Sequence, residues 1–270
     1  MCTLTAIKLP GDEPMLSVWM NRDEKKHREA ALPPSIHRSE ESLHCHSAIY
    51  PVDPQGGGTW LAANDQGLIA ALINYYSQTS DDLPPVERSR GLLVKDIAHR
   101  FESISDVNNW LEAYAENDLV QYAAFRLVLL HPEANNAVQF RWNREQLSKE
   151  SLTYPVVLSS SSFKETEIVP GRLDFYNAEW KEAFHQTDEI QSLITTQRSF
   201  HFSRQHTAPT SHNVMMDRPD AATVSVSSVL VDSSGVRFDY FDAPHSASSP
   251  SSQLILPLAA HASAPGSGIN

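Results

Sequence analysis

The chain has 270 residues, 41% of them hydrophobic, enough for one large α/β domain or two small ones. Its formal net charge of −12 argues against nucleic acid or an anionic membrane as the main partner, since both demand a basic surface. Two cysteines, Cys2 and Cys45, make no disulfide scaffold, so a reducing, cytoplasmic compartment is expected, with a Cys2–Cys45 bridge left open.

No apolar run reaches the length of a membrane span. Lys8, Gly11, Asp12 and Glu13 interrupt the first stretch before it reads as a signal segment. Cys2 to Ile7 is β-prone, Leu9-Pro10-Gly11-Asp12 has turn chemistry, and Met15 to Met20 reads as a second strand. The resulting hairpin sets Cys2 across from Asn21-Arg22-Asp23-Glu24. Residues 25 to 55 carry Pro33, Pro34, Pro51 and Pro54 without clean periodicity, which predicts a long surface excursion. Gly56-Gly57-Gly58-Thr59-Trp60-Leu61 reads as loop then strand, and Leu68 to Tyr75 as a strand buried on both faces.

Ser89 to Phe101 has helical spacing of Leu92, Leu93, Ile97 and Phe101, and Ser105-Asp106 is placed to cap a second helix. Ala124 to Leu130 and Ala137 to Trp142 predict another hairpin. Tyr154 to Leu158 is a short strand before the Ser159–Ser162 run, and residues 175 to 198 are helical. Ala222 to Val231 is a long strand, turned by Asp232-Ser233-Ser234-Gly235 into Val236 to Phe241. The Ser/Ala/Pro-rich stretch 244–270 predicts a disordered tail, leaving 1–243 as a single domain. Hairpins around mid-chain helices predict α+β layering.

Taken alone, Cys2 is either a small buried hydrophobe or, once Met1 is removed, a thiol beside a free α-amine. The amine (pKa about 8) can then take the proton of the thiol (pKa about 8.5), which makes nucleophile and base one residue. His44 and His46 share one face of an extended segment and Cys45 the other, without further ligands at zinc spacing, so no metal site is expected. The Ser159–Ser162 run lacks the flanking glycines of a nucleophile elbow, and no Gly-rich phosphate fingerprint is present, so no cofactor is expected.

Several segments in order resemble the family named for its Asn-Arg-Asp-Glu motif, the transport and Golgi organisation family. They are Met1-Cys2-Thr3-Leu4-Thr5, Asn21-Arg22-Asp23-Glu24, Gly57-Gly58-Thr59-Trp60-Leu61, Leu72-Ile73-Asn74-Tyr75, Ser89-Arg90-Gly91-Leu92-Leu93, and Met216 to Ser225. The resemblance implies an N-terminal nucleophile hydrolase-like fold, a four-layer αββα sandwich. At a distance it is similar to choloylglycine hydrolases and penicillin-type acyltransferases. It implies Cys2 as nucleophile, Asp23 as the acid that orients it, and Asn74 as an oxyanion donor. Asn21, Arg22, Trp60, Asn64 and Arg218 become candidate substrate-binding residues.

The pattern departs from the hydrolase branch in two places. Trp19-Met20-Asn21 stands where that branch has an arginine, and Ser159–Ser162 where it has a later asparagine. The expected function is an N-terminal cysteine amidohydrolase or acyltransferase acting on carbon–nitrogen bonds other than peptide bonds, with a small amide or acyl substrate. The alternative is a non-catalytic protein binding haem, lipid or acyl-coenzyme A on the same scaffold.

Overall fold

The computed structural model describes residues 2–38, 46–76, 85–113, 116–204, 212–246 and 248–259. His44 and Cys45, and with them the possible bridge to Cys2, lie outside the described residues. Among the described residues, thirteen strands form two antiparallel sheets. The first runs β10 (Val156–Ser160), β1 (Cys2–Leu9), β2 (Met15–Lys25), β11 (Ala221–Asp232), β12 (Gly235–Asp242), β13 (Ser252–Leu256). The second runs β3 (Leu32–His37), β4 (Ala48–Val52), β5 (Leu61–Asn64), β6 (Ile69–Asn74), β7 (Phe125–Leu130), β8 (Asn136–Trp142), β9 (Leu147–Thr153).

Period-two alternation decides what each sheet buries. Leu4, Ala6, Leu16, Val18 and Met20 face Ile49, Leu61, Ala63, Ile69, Ala71 and Ile73 across the space between the sheets. The outer face of the second sheet, through Ala62, Ala70, Leu72, Leu127 and Leu129, packs on α1 (Arg90–Arg100) and α2 (Ile104–Ala113). A short α3 (Glu116–Leu119) follows.

The outer face of the first sheet is covered by α4 (Glu165–Phe175), which continues through a π-helical turn, Tyr176–Trp180, into α5 (Lys181–His185), and by α6 (Ile190–His201). Sheet on sheet with helices outside each gives the expected αββα layering. Burial of both faces is why Leu68 to Ile73 lacks polar alternation: every residue in it is buried. No helix among the described residues is long and apolar enough to cross a membrane.

Four expectations need correction. The 25–55 region contains strands β3 and β4 rather than a plain excursion. Pro33 and Pro34 are tolerated because β3 is an edge strand, where a missing N–H breaks no central ladder. The stretch after 244 contributes β13, paired with β12 from Val236↔Leu256 to Tyr240↔Ser252. Its flanking Ser, Ala and Pro hid five strand residues.

The helical stretch expected over 175–198 starts at Glu165 and breaks between α5 and α6. Finally, α2 is capped by Ser103, not Ser105. Ser103 Oγ accepts from the Asp106 backbone N–H at 3.2 Å, an N-cap bond, and donates to the Asp106 carboxylate at 2.6 Å.

Candidate active site

Cys2 opens β1, with Arg22 of β2 opposite it on one side and Ser160 of β10 on the other. Alternation sends Cys2 and Arg22 between the sheets. It sends Thr3, Thr5, Asn21 and Asp23 toward the helical layer of the first sheet. Cys2 is 7% exposed and forms one wall of a cleft of about 140 Å³.

The other walls come from both sheets and from the start of α1: Arg22, Glu24, Trp60, Asn74, Arg90 and Gly91 among them. Burial pushes the Cys2 thiol pKa up. The positive amino terminus opposes that rise, the Asp23 carboxylate adds to it, and the Arg22 guanidinium and the Asp23 backbone N–H oppose it.

Two glycines let these walls meet. A Cβ on Gly58 would stand 2.3 Å from the Gly91 carbonyl carbon, and one on Gly91 2.7 Å from the Thr59 nitrogen. The loop before β5 and the first turn of α1 therefore touch backbone to backbone, joined by Thr59 N–H to Gly91 O at 3.1 Å. That contact presents Trp60 to the cleft on one side and Arg90 on the other.

The Arg22 guanidinium lies over the Trp60 ring, 4.4 Å from its centroid, and 3.7 Å from the Glu24 carboxylate. Arg90 donates to the Ala124 carbonyl at 2.8 Å. Its burial pulls its pKa down while the nearby Tyr76 and Cys2 pull it up. Asn74 ends β6 in the cleft, one amide N–H donated to Tyr76 Oη at 3.1 Å. The amide has two N–H groups, so a second remains for a ligand oxygen.

Behind Cys2, the buried Asp23 carboxylate is held by Thr223 and Arg172. Oδ1 accepts from Thr223 Oγ1 at 2.6 Å, and Oδ2 pairs with Arg172 Nη1 at 3.3 Å. Arg172 also donates to Thr3 Oγ1 at 3.0 Å and Ser159 Oγ at 3.2 Å. Side-chain exposures of 1% for Arg172 and 0% for Asp23 make this a fully desolvated ion pair. Such a pair holds geometry well, and removing one partner typically costs about 3–5 kcal/mol. Arg172 is the member of the site that sequence reasoning missed. Its faint local signal is an arginine inside the apolar run Ile168-Val169-Pro170-Gly171-Arg172-Leu173.

Of the residues named from sequence, Cys2, Arg22, Asp23, Trp60 and Asn74 line one cleft. Three do not line it. Asn21 faces the opposite side of the sheet, donating to the His201 and Val214 carbonyls at 2.9 and 3.2 Å and accepting from the His201 ring.

Asn64 is consumed by structure. Its amide caps the end of α1 at the Ala98 and Phe101 carbonyls, and its Oδ1 accepts from the Gln66 and Leu68 backbone N–H groups. Arg218 pairs with Asp220 at 2.7 Å and lies over the Phe163 ring, outside the cleft lining. Two further cleft residues, Arg28 and Asp53, form an ion pair at 2.5 Å within the region read as an excursion.

Cys2 at a strand start, facing sheets and outer helices form the αββα fold of the N-terminal nucleophile hydrolase type, and two solved structures share that fold. An arginine-to-leucine variant of conjugated bile acid hydrolase from Clostridium perfringens aligns over 95% of this chain and 97% of its own, with a TM-score of 0.50 and 11% identity. A cysteine-to-alanine mutant of that hydrolase aligns over 95% and 96%, at 0.51 and 8%. The Caenorhabditis elegans N-acylethanolamine-hydrolyzing acid amidase ortholog aligns over 95% and 100%, at 0.45 and 11%.

Identity this low speaks to fold alone. The chain belongs to the Transport and Golgi organisation 2 family, whose pattern it matches over residues 1–247. A search of curated proteins finds no match.

Proposed function

We propose that the protein is an N-terminal cysteine amidohydrolase or acyltransferase acting on a small amide or acyl substrate. The observation that carries this reading is the placing of Cys2 at the wall of a polar cleft, with Asp23 locked behind it. The chemistry requires removal of Met1, so that Cys2 carries the free amine. That amine takes the thiol proton, directly or through one water, and the sulfur attacks the substrate carbonyl carbon.

Asn74 Nδ2 donates its second N–H to the oxygen as it becomes an anion. When the carbon–nitrogen bond breaks, the ammonium of Cys2 returns the proton to the departing amine, leaving a thioester on Cys2. Water then releases a carboxylic acid, or an acceptor amine takes the acyl group.

A cleft of about 140 Å³ is small beside the ~300–1,000 Å³ of sites for drug-sized ligands. It suits the reacting end of a substrate, not the whole of a large one. A neighbouring cavity of about 190 Å³ shares Arg22, Glu24 and Arg28 with it and would take a longer substituent only past those side chains.

The test is turnover of a panel of short-chain amides and thioesters, with product acid measured. Release that disappears in Cys2→Ala supports the reading. A full panel without release, by protein whose Cys2 amine is free, overturns it in favour of ligand binding without chemistry, for which the Arg22–Trp60 stack is the supporting contact.

A further inference from the structure

Ser160 stands directly across the β1–β10 ladder from Cys2. Directly opposed residues of an antiparallel pair place their side chains on the same face, with Cβ atoms about 4.5–5.5 Å apart. The face is the one between the sheets. Val156 on β10 packs in the same core as Cys2, whereas Val157 packs against α6 and Ser159 meets Arg172.

Ser160 is fully buried, and its Oγ has no hydrogen-bond partner among the described residues. Its neighbours do better: Ser159 Oγ accepts from Arg172 at 3.2 Å, and Ser161 Oγ donates to the Phe163 carbonyl at 2.5 Å. An unpaired buried hydroxyl costs about 1–3 kcal/mol, so it calls for a state of the protein that uses it. The register puts the sulfur of Cys2 beside it.

We propose that Ser160 is a positioning residue for Cys2: its hydroxyl donates a hydrogen bond to the sulfur in the thiolate form. The hydroxyl from β10 then adds to the positive charge of Arg22 on β2, which already favours the thiolate. A thiolate accepts such a bond far more strongly than a neutral thiol does, so the contact favours ionisation. The other charged or titratable groups around the sulfur among the described residues include Asp23 on β2, Tyr76 beyond β6 and Arg90 at the start of α1, with the amino terminus, and Glu24, Arg28 and Asp53 line the same cleft. Removing the Ser160 hydroxyl leaves all of them in place. The proposal concerns the same thiol as the acyl-transfer reading, but its test uses no substrate, so the two can fail separately.

The experiment follows iodoacetamide alkylation of Cys2 in the full chain as a function of pH. Peptide mass spectrometry separates Cys2 from Cys45. In Ser160→Ala the midpoint should move up by about one pH unit, roughly tenfold less reaction at neutral pH, with the high-pH plateau unchanged. Ser160→Thr and Ser160→Val are matched in size and differ in the hydroxyl. Threonine should follow the parent protein and valine should follow alanine, and this pair decides the matter if Ser160→Ala fails to fold. Midpoints that stay with the parent in both Ala and Val variants overturn the proposal. So does a lowered plateau at an unchanged midpoint, which marks altered access.

Discussion

In the proposed chemistry, Asn74 and Asp23 serve Cys2 differently, by where their atoms point. Asp23 is spoken for by Thr223 and Arg172, so its carboxylate serves as a fixed support. Asn74 keeps an N–H in hand beyond the one given to Tyr76. Asn74→Ala should therefore lower kcat by about a hundredfold or more, with little change in KM, as loss of one oxyanion donor does. Steady-state kinetics on any substrate the panel yields would check it. A rise in KM at unchanged kcat would make Asn74 a ground-state binding group instead.

At this scale Cys2, Arg22, Asp23, Trp60 and Asn74, all named from the sequence, line one cleft, and the hairpin register carries three of them together. Asn21 and Asn64 misled because a polar residue inside a motif can be there to hold backbone. Both spend their amides on carbonyl groups. Arg172 was out of reach because its pairing with Asp23 spans 149 positions.

Among the elements, the join between the loop before β5 and the start of α1 closes one side of the site. Gly58 and Gly91 permit it, which gives a physical reason for two separate glycine-bearing segments. Gly91→Ala should destabilise the protein by about 1–3 kcal/mol through overpacking against the Thr59 backbone. Gly171→Ala in α4 is the contrast. Its Cβ would meet only the His212 ring nitrogen within 4 Å, at an ordinary 3.6 Å, so a stabilising change of about 0.4–1 kcal/mol is expected. Chemical denaturation of both variants would check the opposite signs, and equal effects would refute the assignment.

Element type was legible wherever periodicity was strong. β1, β6, α1, and β11 with β12 all stand within a residue or two of expectation, while β2 runs five residues past the expected end at Met20, to Lys25. Edge strands β3, β9 and β13 were not legible, because an edge tolerates proline and polar residues that a central strand excludes.

For the whole molecule, the outer face of the first sheet carries a buried polar layer under α6. His201 is fully buried. Its Nε2 meets Thr5 Oγ1 at 2.6 Å, and its Nδ1 donates to Asn21 Oδ1. Gln197 ties Thr5 to Ser17 in the same layer. Burial pushes the His201 pKa down to about 3. The unfolded chain takes up a proton near pH 6.5, which the folded protein refuses until far lower. This contribution to stability is therefore complete above about pH 6.5 and is lost as pH falls toward 3, at about 1.4 kcal/mol per pH unit inside that window. Denaturation midpoints across that window should fall less steeply in His201→Gln than in the parent. Parallel curves would contradict a buried neutral histidine.

The proposed chemistry depends above all on Cys2. Its most direct test is the intact mass of the purified protein before and after exposure to an activated short-chain acyl ester. The expected result is a protein lacking Met1 that gains a single acyl group mapping to Cys2 and gains none in Cys2→Ala. A protein that retains Met1, or one with a free Cys2 amine that takes no acyl group there, would contradict it.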